Sequence, residues 1–213
     1  PNDSFLKKAY LLYEGHMKTL FFILVSLIGC KPSELETTEN VNAHTGEAEI
    51  VLEPVGVIPA DDCQQIALGD KACNFRLTDQ DGNTWDLYQH EGDVIVLDFS
   101  AFWCYPCQMA AEHSQDIQDS YTDVQMVTIL IDGNTPGLEP TEEEVNQWST
   151  NHGITTAPVL KGSREKMFDP AAIEGYSLSG FPTYLYIDKE LKFYAGHTGF
   201  NDEYTRLKIE EGL

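Results

Sequence analysis

The sequence predicts an α/β protein with a central mixed β-sheet flanked by helices. Its middle part contains a strand, a helix and a second strand, at residues 94–99, 105–121 and 124–131. Both strands are almost continuously apolar, which is typical of strands covered on both faces. The last part contains two strands and a closing helix, at residues 182–187, 191–194 and 201–211. A βαβ unit followed by a ββα unit therefore sets the fold class.

Shorter elements complete this prediction. They are a hairpin with strands at 75–78 and 84–87, a short strand at 157–160 and a brief helix near Ala171. The hairpin is predicted because its strands alternate between apolar and polar residues around a turn at 81–83. Thr141 and Glu144 have the spacing of a capping box, which predicts a helix from there to about His152.

Composition and charge narrow the function. The chain has 213 residues, 42% of them hydrophobic, which is enough for one sizeable core with an appendage. It carries 35 acidic residues against 13 basic ones, so its formal net charge is −22. So negative a surface repels nucleic acid and anionic membrane surfaces, and we expect neither as a partner. The acidic residues are scattered, which favours a solvated surface over an acidic binding site.

The amino-terminal part has the features of an export signal. Residues 20–28 form an apolar run that is too short to span a bilayer but fits the hydrophobic part of a signal peptide. The run ends in Leu-Ile-Gly-Cys at 27–30, which resembles the lipobox of bacterial lipoproteins. This resemblance implies cleavage before Cys30 and its lipidation, which would attach the protein to a membrane. The alternative is a buried helix with an incidental cysteine, but residues 31–49 offer nothing for it to pack against.

This signal divides the chain into four predicted parts. They are an upstream extension at 1–16 that is not part of the native protein, a signal peptide at 17–29, a lipidated and mostly flexible tether at 30–68, and a folded domain at 69–213. The tether is rich in Glu, Thr, Asn and Pro and lacks apolar periodicity. Lys31 rather than aspartate follows Cys30, which favours the outer membrane over the inner one. We expect a lipid-anchored protein of the bacterial envelope that faces the periplasm.

Cys104 and Cys107 are the strongest functional signal. Two residues separate them, at the point where a buried strand gives way to a helix. The free N–H groups and the positive dipole of a helix N-terminus stabilise a thiolate, so a Cys-x-x-Cys sequence here predicts redox chemistry. Metal chemistry is disfavoured because no second Cys-x-x-Cys completes a zinc site, and Gln108 is not the histidine that c-type haem attachment needs. We expect no metal and no cofactor.

Three separated motifs resemble the thioredoxin superfamily, and within it the TlpA/ResA-like, AhpC/TSA-type branch of exported thiol-disulfide oxidoreductases. They are the redox motif at 96–107, the Gly-Phe-Pro-Thr loop at 180–183 and the opening hairpin at 69–82. The resemblance covers residues 69–213 and implies a thioredoxin-like three-layer fold. It also implies an enzyme that reduces or exchanges disulfides in protein substrates.

The resemblance assigns roles to single residues. Cys104 would be the exposed nucleophile that attacks a substrate disulfide, and Cys107, shielded one turn into the helix, would resolve the mixed disulfide. Asp98 occupies the position of a buried carboxylate that exchanges protons with the second cysteine. The alternative is that Asp98 only forms a hydrogen bond within its strand.

The substrate would bind beside these cysteines. Pro182 is expected to be cis, so that the backbone of Phe181 can pair with an extended peptide. Trp103 would either contact the substrate or pack against the protein. Glu112 stands where the branch usually has a proline that bends the first helix, which predicts a helix without that kink.

The remaining cysteines, Cys63 and Cys73, are an even number in an exported protein once Cys30 is lipidated. We therefore expect a structural disulfide between them. The alternative is a buried Cys73 and a free Cys63.

Two other functions and the direction of electron flow stay open. A peroxiredoxin-like peroxidase shares the fold, but Ala101 stands where it would need Thr or Ser. A non-catalytic binding module would not need both cysteines. Tyr105 and Pro106 supply no cation to stabilise a reactive thiolate, so we expect a reducing protein that receives electrons from a membrane partner.

Overall fold

A computed structural model describes residues 56–57, 67–168, 176 and 178–213. These residues belong to one compact unit. No helix in the described part of the chain is long and apolar enough to cross a bilayer. Cys30, Cys63 and the helix predicted near Ala171 lie outside the described residues.

Eight strands in the described residues form one mixed sheet. They are β1 (Gly56–Val57), β2 (Phe75–Asp79), β3 (Thr84–Asp86), β4 (Val94–Ala101), β5 (Val124–Asp132), β6 (Val159–Lys161), β7 (Thr183–Ile187) and β8 (Phe193–Thr198). Their order is β1-β2-β6-β5-β4-β7-β8, with β3 paired to β2 as the predicted hairpin. Strands β4, β5 and β6 are parallel, whereas β7 and β8 run antiparallel to their neighbours.

The helices confirm both predicted units. They are α1 (Tyr105–Ala111), α2 (Ser114–Ser120), α3 (Glu142–Asn151), α4 (Arg164–Met167) and α5 (Asp202–Gly212), with a short 3-10 turn at Leu87–His90. Helices α1 and α2 connect the parallel strands β4 and β5, and α5 follows the β7–β8 hairpin. The predicted capping box opens α3, since the Thr141 hydroxyl accepts from the Glu144 N–H at 3.2 Å and the Glu144 carboxylate accepts from the Thr141 N–H at 2.7 Å.

The core lies on both faces of the sheet, as the three-layer prediction requires. On one face Leu97 and Phe99 pack with Met167 of α4 and with Tyr176. On the other face a separate apolar cluster joins strand residues to residues of α1, α2 and α5. It consists of Val94, Val96, Ala110, Ile117, Val124, Met126, Tyr184, Tyr186, Ala195 and Ile209. Because successive strand residues alternate between faces, Asp98 lies on this second face.

The helix predicted from residue 105 to 121 is interrupted, so the prediction of a helix without a kink is wrong. Helix α1 ends at Ala111, where the His113 N–H bonds to the Ala110 carbonyl instead of continuing the α-helical ladder. Helix α2 then begins at Ser114. Cys107 before the break and Ile117 after it pack in different parts of the core, and the helix is interrupted here without a proline.

Candidate active site

The two cysteines are joined as a disulfide at the amino-terminal end of α1. Their Cα atoms are 5.2 Å apart. Cys104 is the N-cap residue of the helix, and its sulfur accepts a hydrogen bond from the Cys107 N–H at 3.3 Å. Strand β4 leads into the turn that carries the pair. The Phe102 N–H bonds to the Asp132 carbonyl at the end of β5, which fixes this turn.

The accessibility of the pair differs from the prediction. Cys104 is only 4% exposed and Cys107 is fully buried, so the expected exposed position of Cys104 is wrong for the disulfide form. The reason is that the Cys104 sulfur is bonded inward to Cys107 and belongs to a buried cluster against which Phe102 and Phe181 pack. Cys104 is nevertheless the more accessible sulfur-bearing residue of the two.

The loop before β7 closes the site, as the sequence predicted. The Phe181–Pro182 peptide bond is cis. Phe181 packs against the cluster that contains both cysteines. The loop is anchored on each side, since the Thr183 hydroxyl donates to the Gly180 carbonyl at 2.8 Å and the Gly199 N–H donates to the Pro182 carbonyl at 2.8 Å.

Asp98 is completely buried in the middle of β4. Its Oδ1 accepts a hydrogen bond from the Ser100 hydroxyl at 2.8 Å. Burial raises the pKa of Asp98 from 3.8 to about 7, against the opposing influence of the Ser100 and Tyr184 hydroxyls. The carboxyl therefore changes its charge close to neutral pH, where a group must titrate to exchange protons with a thiol.

Asp98 belongs to a row of polar residues that the sequence analysis missed. The register pairs Asp98 with Thr128 of β5 and with Tyr184 of β7, and it pairs Tyr184 with His197 of β8. Residues paired in this way point to the same face of the sheet. Each of the four has a buried polar atom that lacks a hydrogen-bond partner among the described residues. Alternation along each strand could have placed them on one face, but their alignment depends on the register.

Trp103 lies at the surface beside the disulfide. Its indole is 43% exposed, and its N–H donates to Asp132 Oδ2 at 3.2 Å. The ring meets Phe181 edge to face with centroids 6.3 Å apart. Trp103 therefore packs on the protein and keeps part of its surface open, while its contact with a substrate stays a prediction.

Asp132 and Arg164 form an ion pair behind Trp103 that the sequence analysis also missed. Arg164 Nε donates to Asp132 Oδ1 at 2.8 Å, and Nη2 donates to Oδ2 at 2.7 Å. The Gly137 N–H adds a third donor at 2.9 Å. Burial alone would raise the pKa of Asp132, but the bonds from Arg164, Gly137 and Trp103 outweigh it and lower that pKa. The same pair raises the pKa of Arg164. A charged residue ending an apolar strand was the available signal, but no local pattern pointed to its partner.

Comparisons with known proteins agree with this geometry. The sequence pattern of the AhpC/TSA family matches residues 68–192. The chain belongs to the AhpC/TSA family. The thiol-disulfide oxidoreductase ResA of Halalkalibacterium halodurans is 26% identical over 132 residues, which cover 62% of this chain and 68% of that protein.

Solved structures show the same fold. The exposed lipoprotein thioredoxin Etrx1 from Streptococcus pneumoniae is 26% identical, with a TM-score of 0.53 over 65% of this chain and 98% of that one. The thioredoxin domain of a thiol-disulfide oxidoreductase from Bacteroides vulgatus is 17% identical, with a TM-score of 0.57 over 70% of this chain and 99% of that one. This AhpC/TSA protein is accordingly a thioredoxin-fold enzyme of the thiol-disulfide oxidoreductase class.

The other predicted site residues of this AhpC/TSA enzyme are the cysteines outside the Cys-x-x-Cys pair. Cys73 is buried at the start of the domain, while Cys63 lies outside the described residues, so their pairing stays a prediction. The lipidation site Cys30 also lies outside them. Within the described ranges, no group of three His, Cys, Asp or Glu residues could hold a metal ion.

Proposed function

We propose that this enzyme reduces or exchanges disulfides of protein substrates in the bacterial cell envelope, with Cys104 as the nucleophile and Cys107 as the resolving cysteine. One observation carries the proposal. The Cys104–Cys107 disulfide caps α1, and Phe181 of the cis-proline loop packs against the same cluster.

The reaction consists of two thiol-disulfide exchanges. The Cys104 thiolate attacks one sulfur of the substrate disulfide, which forms a mixed disulfide and releases a substrate thiolate that takes up a proton. Cys107 then loses its proton and attacks the Cys104 sulfur. This second step forms the Cys104–Cys107 disulfide and releases the other substrate thiol. The substrate gains two electrons, and a dithiol donor must return two electrons to the enzyme.

The geometry supports these roles for the two cysteines. Cys104 is the more accessible residue, and the Cys107 N–H points at its sulfur from 3.3 Å. A hydrogen bond to the charged form favours a thiolate, so this N–H would stabilise Cys104 after reduction. Cys107 is fully buried and can reach only a sulfur that is already attached to Cys104.

Asp98 is the proposed proton acceptor for Cys107. It lies on the face of the sheet against which Ala110 of α1 packs, one turn beyond Cys107. Its pKa of about 7 gives an appreciable fraction of the unprotonated form at neutral pH. A general base works best when its pKa is near the working pH, as it is here.

The proposal also includes the location and the partners. Residues 17–29 would be the signal peptide, Cys30 the lipidated residue, and residues 30–68 the tether of the enzyme domain at 69–213. Within that tether Gly56 and Val57 already pair with β2, so its last part belongs to the sheet of the domain. The lipobox-like sequence supports this arrangement, as does the similarity to a pneumococcal protein described as an exposed lipoprotein thioredoxin. A membrane dithiol protein would donate the electrons, and a polypeptide substrate would lie along Trp103, Phe181 and Pro182.

Cysteine substitutions test the chemistry. We expect Cys104→Ser to abolish reduction of insulin disulfides, because the nucleophile is lost. Cys107→Ser should instead accumulate mixed disulfides that non-reducing electrophoresis detects, because nothing resolves them. Ser114→Ala in α2 is the control for a small change in the same region and should leave the rate unchanged. Full activity of Cys104→Ser would overturn the assignment, and hydrogen peroxide turnover faster than insulin reduction would indicate a peroxidase.

Lipidation is tested separately in cells. The full chain should incorporate a tagged palmitate and fractionate with membranes, while Cys30→Ala should do neither. Equal labelling of both proteins would contradict the lipid anchor without affecting the proposed chemistry.

A further inference from the structure

Four residues around the redox site form a closed ring of contacts. Trp103 bonds to Asp132 at 3.2 Å, and Asp132 bonds to Arg164 through two hydrogen bonds. The Arg164 guanidinium lies over the Phe181 ring with its carbon 5.9 Å from the centroid. Phe181 returns to Trp103 at 6.3 Å between ring centroids. We call these four residues the aromatic clasp.

The clasp joins segments that are far apart in the chain. Trp103 belongs to the turn between β4 and α1, and Asp132 ends β5. Arg164 begins α4, and Phe181 belongs to the cis-proline loop. The two aromatic rings are in edge-to-face contact beside Cys104, and the ion pair connects the elements that carry them.

The charge pair in the clasp differs from an ordinary surface ion pair. The Asp132 side chain is fully buried, and three separate groups donate to it. The Arg164 side chain is 53% exposed, so water reaches only one partner of the pair. Removing the cation would leave a buried carboxylate without its counter-charge, which is a costly state. The contact is therefore a fixed part of the site, whereas a solvated ion pair contributes little.

We propose that Arg164 is a positioning residue that holds Trp103 and Phe181 together as one aromatic surface beside Cys104, on which extended polypeptide substrates lie. This inference rests on the proposed function, and it assigns Arg164 a role with polypeptides that lie across both rings. A small disulfide needs to reach only the Cys104 sulfur. Loss of the clasp should therefore affect polypeptides far more than small disulfides.

The experiment compares two substrates in matched variants. Arg164→Gln and the double variant Asp132→Asn/Arg164→Gln are assayed with insulin and with bis(2-hydroxyethyl) disulfide. We expect kcat/KM for insulin to fall about tenfold, mainly through KM, because an aromatic surface misplaced by a fraction of an ångström loses substrate positioning. For the small disulfide kcat/KM should fall less than about twofold. The double variant removes the buried unpaired charge, so it keeps the test valid if the single variant folds poorly.

A conservative variant and a neighbouring control complete the design. Arg164→Lys keeps the charge but lacks the planar fork, so insulin reduction should be intermediate. Glu139→Gln disturbs the ion pairs with Lys161 and Lys166 close to Arg164, and it should leave both substrates unaffected. Equal losses for both substrates, or no loss for insulin, would overturn the inference. If the unmodified enzyme reduces neither substrate, the proposed function itself fails.

Discussion

Asp98 and Asp132 are both fully buried and lie on the neighbouring strands β4 and β5, yet their charges behave in opposite ways. Burial raises the pKa of Asp98 to about 7. The pKa of Asp132 is lowered instead, although burial acts on it in the same direction. Of two carboxyls with no exposed surface, one thus titrates near neutral pH, and the other, which lies closer to the surface behind the half-exposed Arg164, remains an anion.

The difference comes from the groups that each position can recruit. Asp98 is in the middle of a strand, where the backbone N–H groups are used by the sheet and the hydroxyls of Ser100 and Tyr184 are the groups that lower its pKa. Asp132 ends its strand, so a loop N–H, an indole N–H and a guanidinium can all reach it. The end of a strand therefore suits a fixed charge, and the middle suits a carboxyl that titrates near neutral pH.

The largest expected effect is on the pH dependence of stability through Asp98. Its folded pKa of about 7 exceeds its ordinary value of 3.8. Its contribution to stability is therefore full below about pH 4 and is lost as the pH rises to about 7, by roughly 4 kcal/mol. Asp98→Asn should remove that slope. The check is urea unfolding of both proteins at several values between pH 4 and 7, and parallel curves would contradict the burial argument.

The next effect concerns Asp132, where the sign is reversed. Its folded pKa is lowered, so the stability it contributes is present above its ordinary pKa and lost as the pH falls through the folded value. At neutral pH, Arg164→Met should cost about 1–2 kcal/mol of unfolding free energy, because the buried carboxylate loses its half-exposed cation but keeps the Gly137 and Trp103 donors. Adding Asp132→Asn should recover most of that loss. Calorimetric or urea unfolding checks this, and a double variant no more stable than Arg164→Met would argue against the ion pair.

The smallest expected effect comes from Tyr184, which links the Asp98 site to the rest of the polar row. The Tyr184 hydroxyl lowers the pKa of Asp98 because it can donate toward the carboxylate. Asp98 Oδ2 nevertheless has no hydrogen bond of ordinary geometry to the described residues. Tyr184→Phe should therefore raise the pKa of Asp98 by less than about one unit. Carbon-13 NMR of the Asp98 carboxyl during a pH titration measures it. A downward shift would show that the Tyr184 hydroxyl does not lower the pKa of Asp98.

The sequence predicted most of the fold and only part of the site, for physical reasons. The βαβ and ββα units and the capping box at Thr141 depend on residues close together in the chain. The cis peptide before Pro182 is predicted by the family resemblance of its loop and not by local propensity. The Asp132–Arg164 pair joins residues 32 positions apart, and the row from Thr128 to His197 depends on strand register. Such contacts follow from tertiary packing, which periodicity does not report.

The break between α1 and α2 has a consequence for the tendency of the enzyme to give up electrons. Helix α1 contains only seven residues, so fewer peptide dipoles add up behind Cys104 than in the continuous helix that the sequence predicts. Weaker stabilisation of the Cys104 thiolate would make the reduced form less favourable relative to the disulfide. We therefore expect the break to make the site more strongly reducing than a continuous helix would, which is the direction that the proposed function requires.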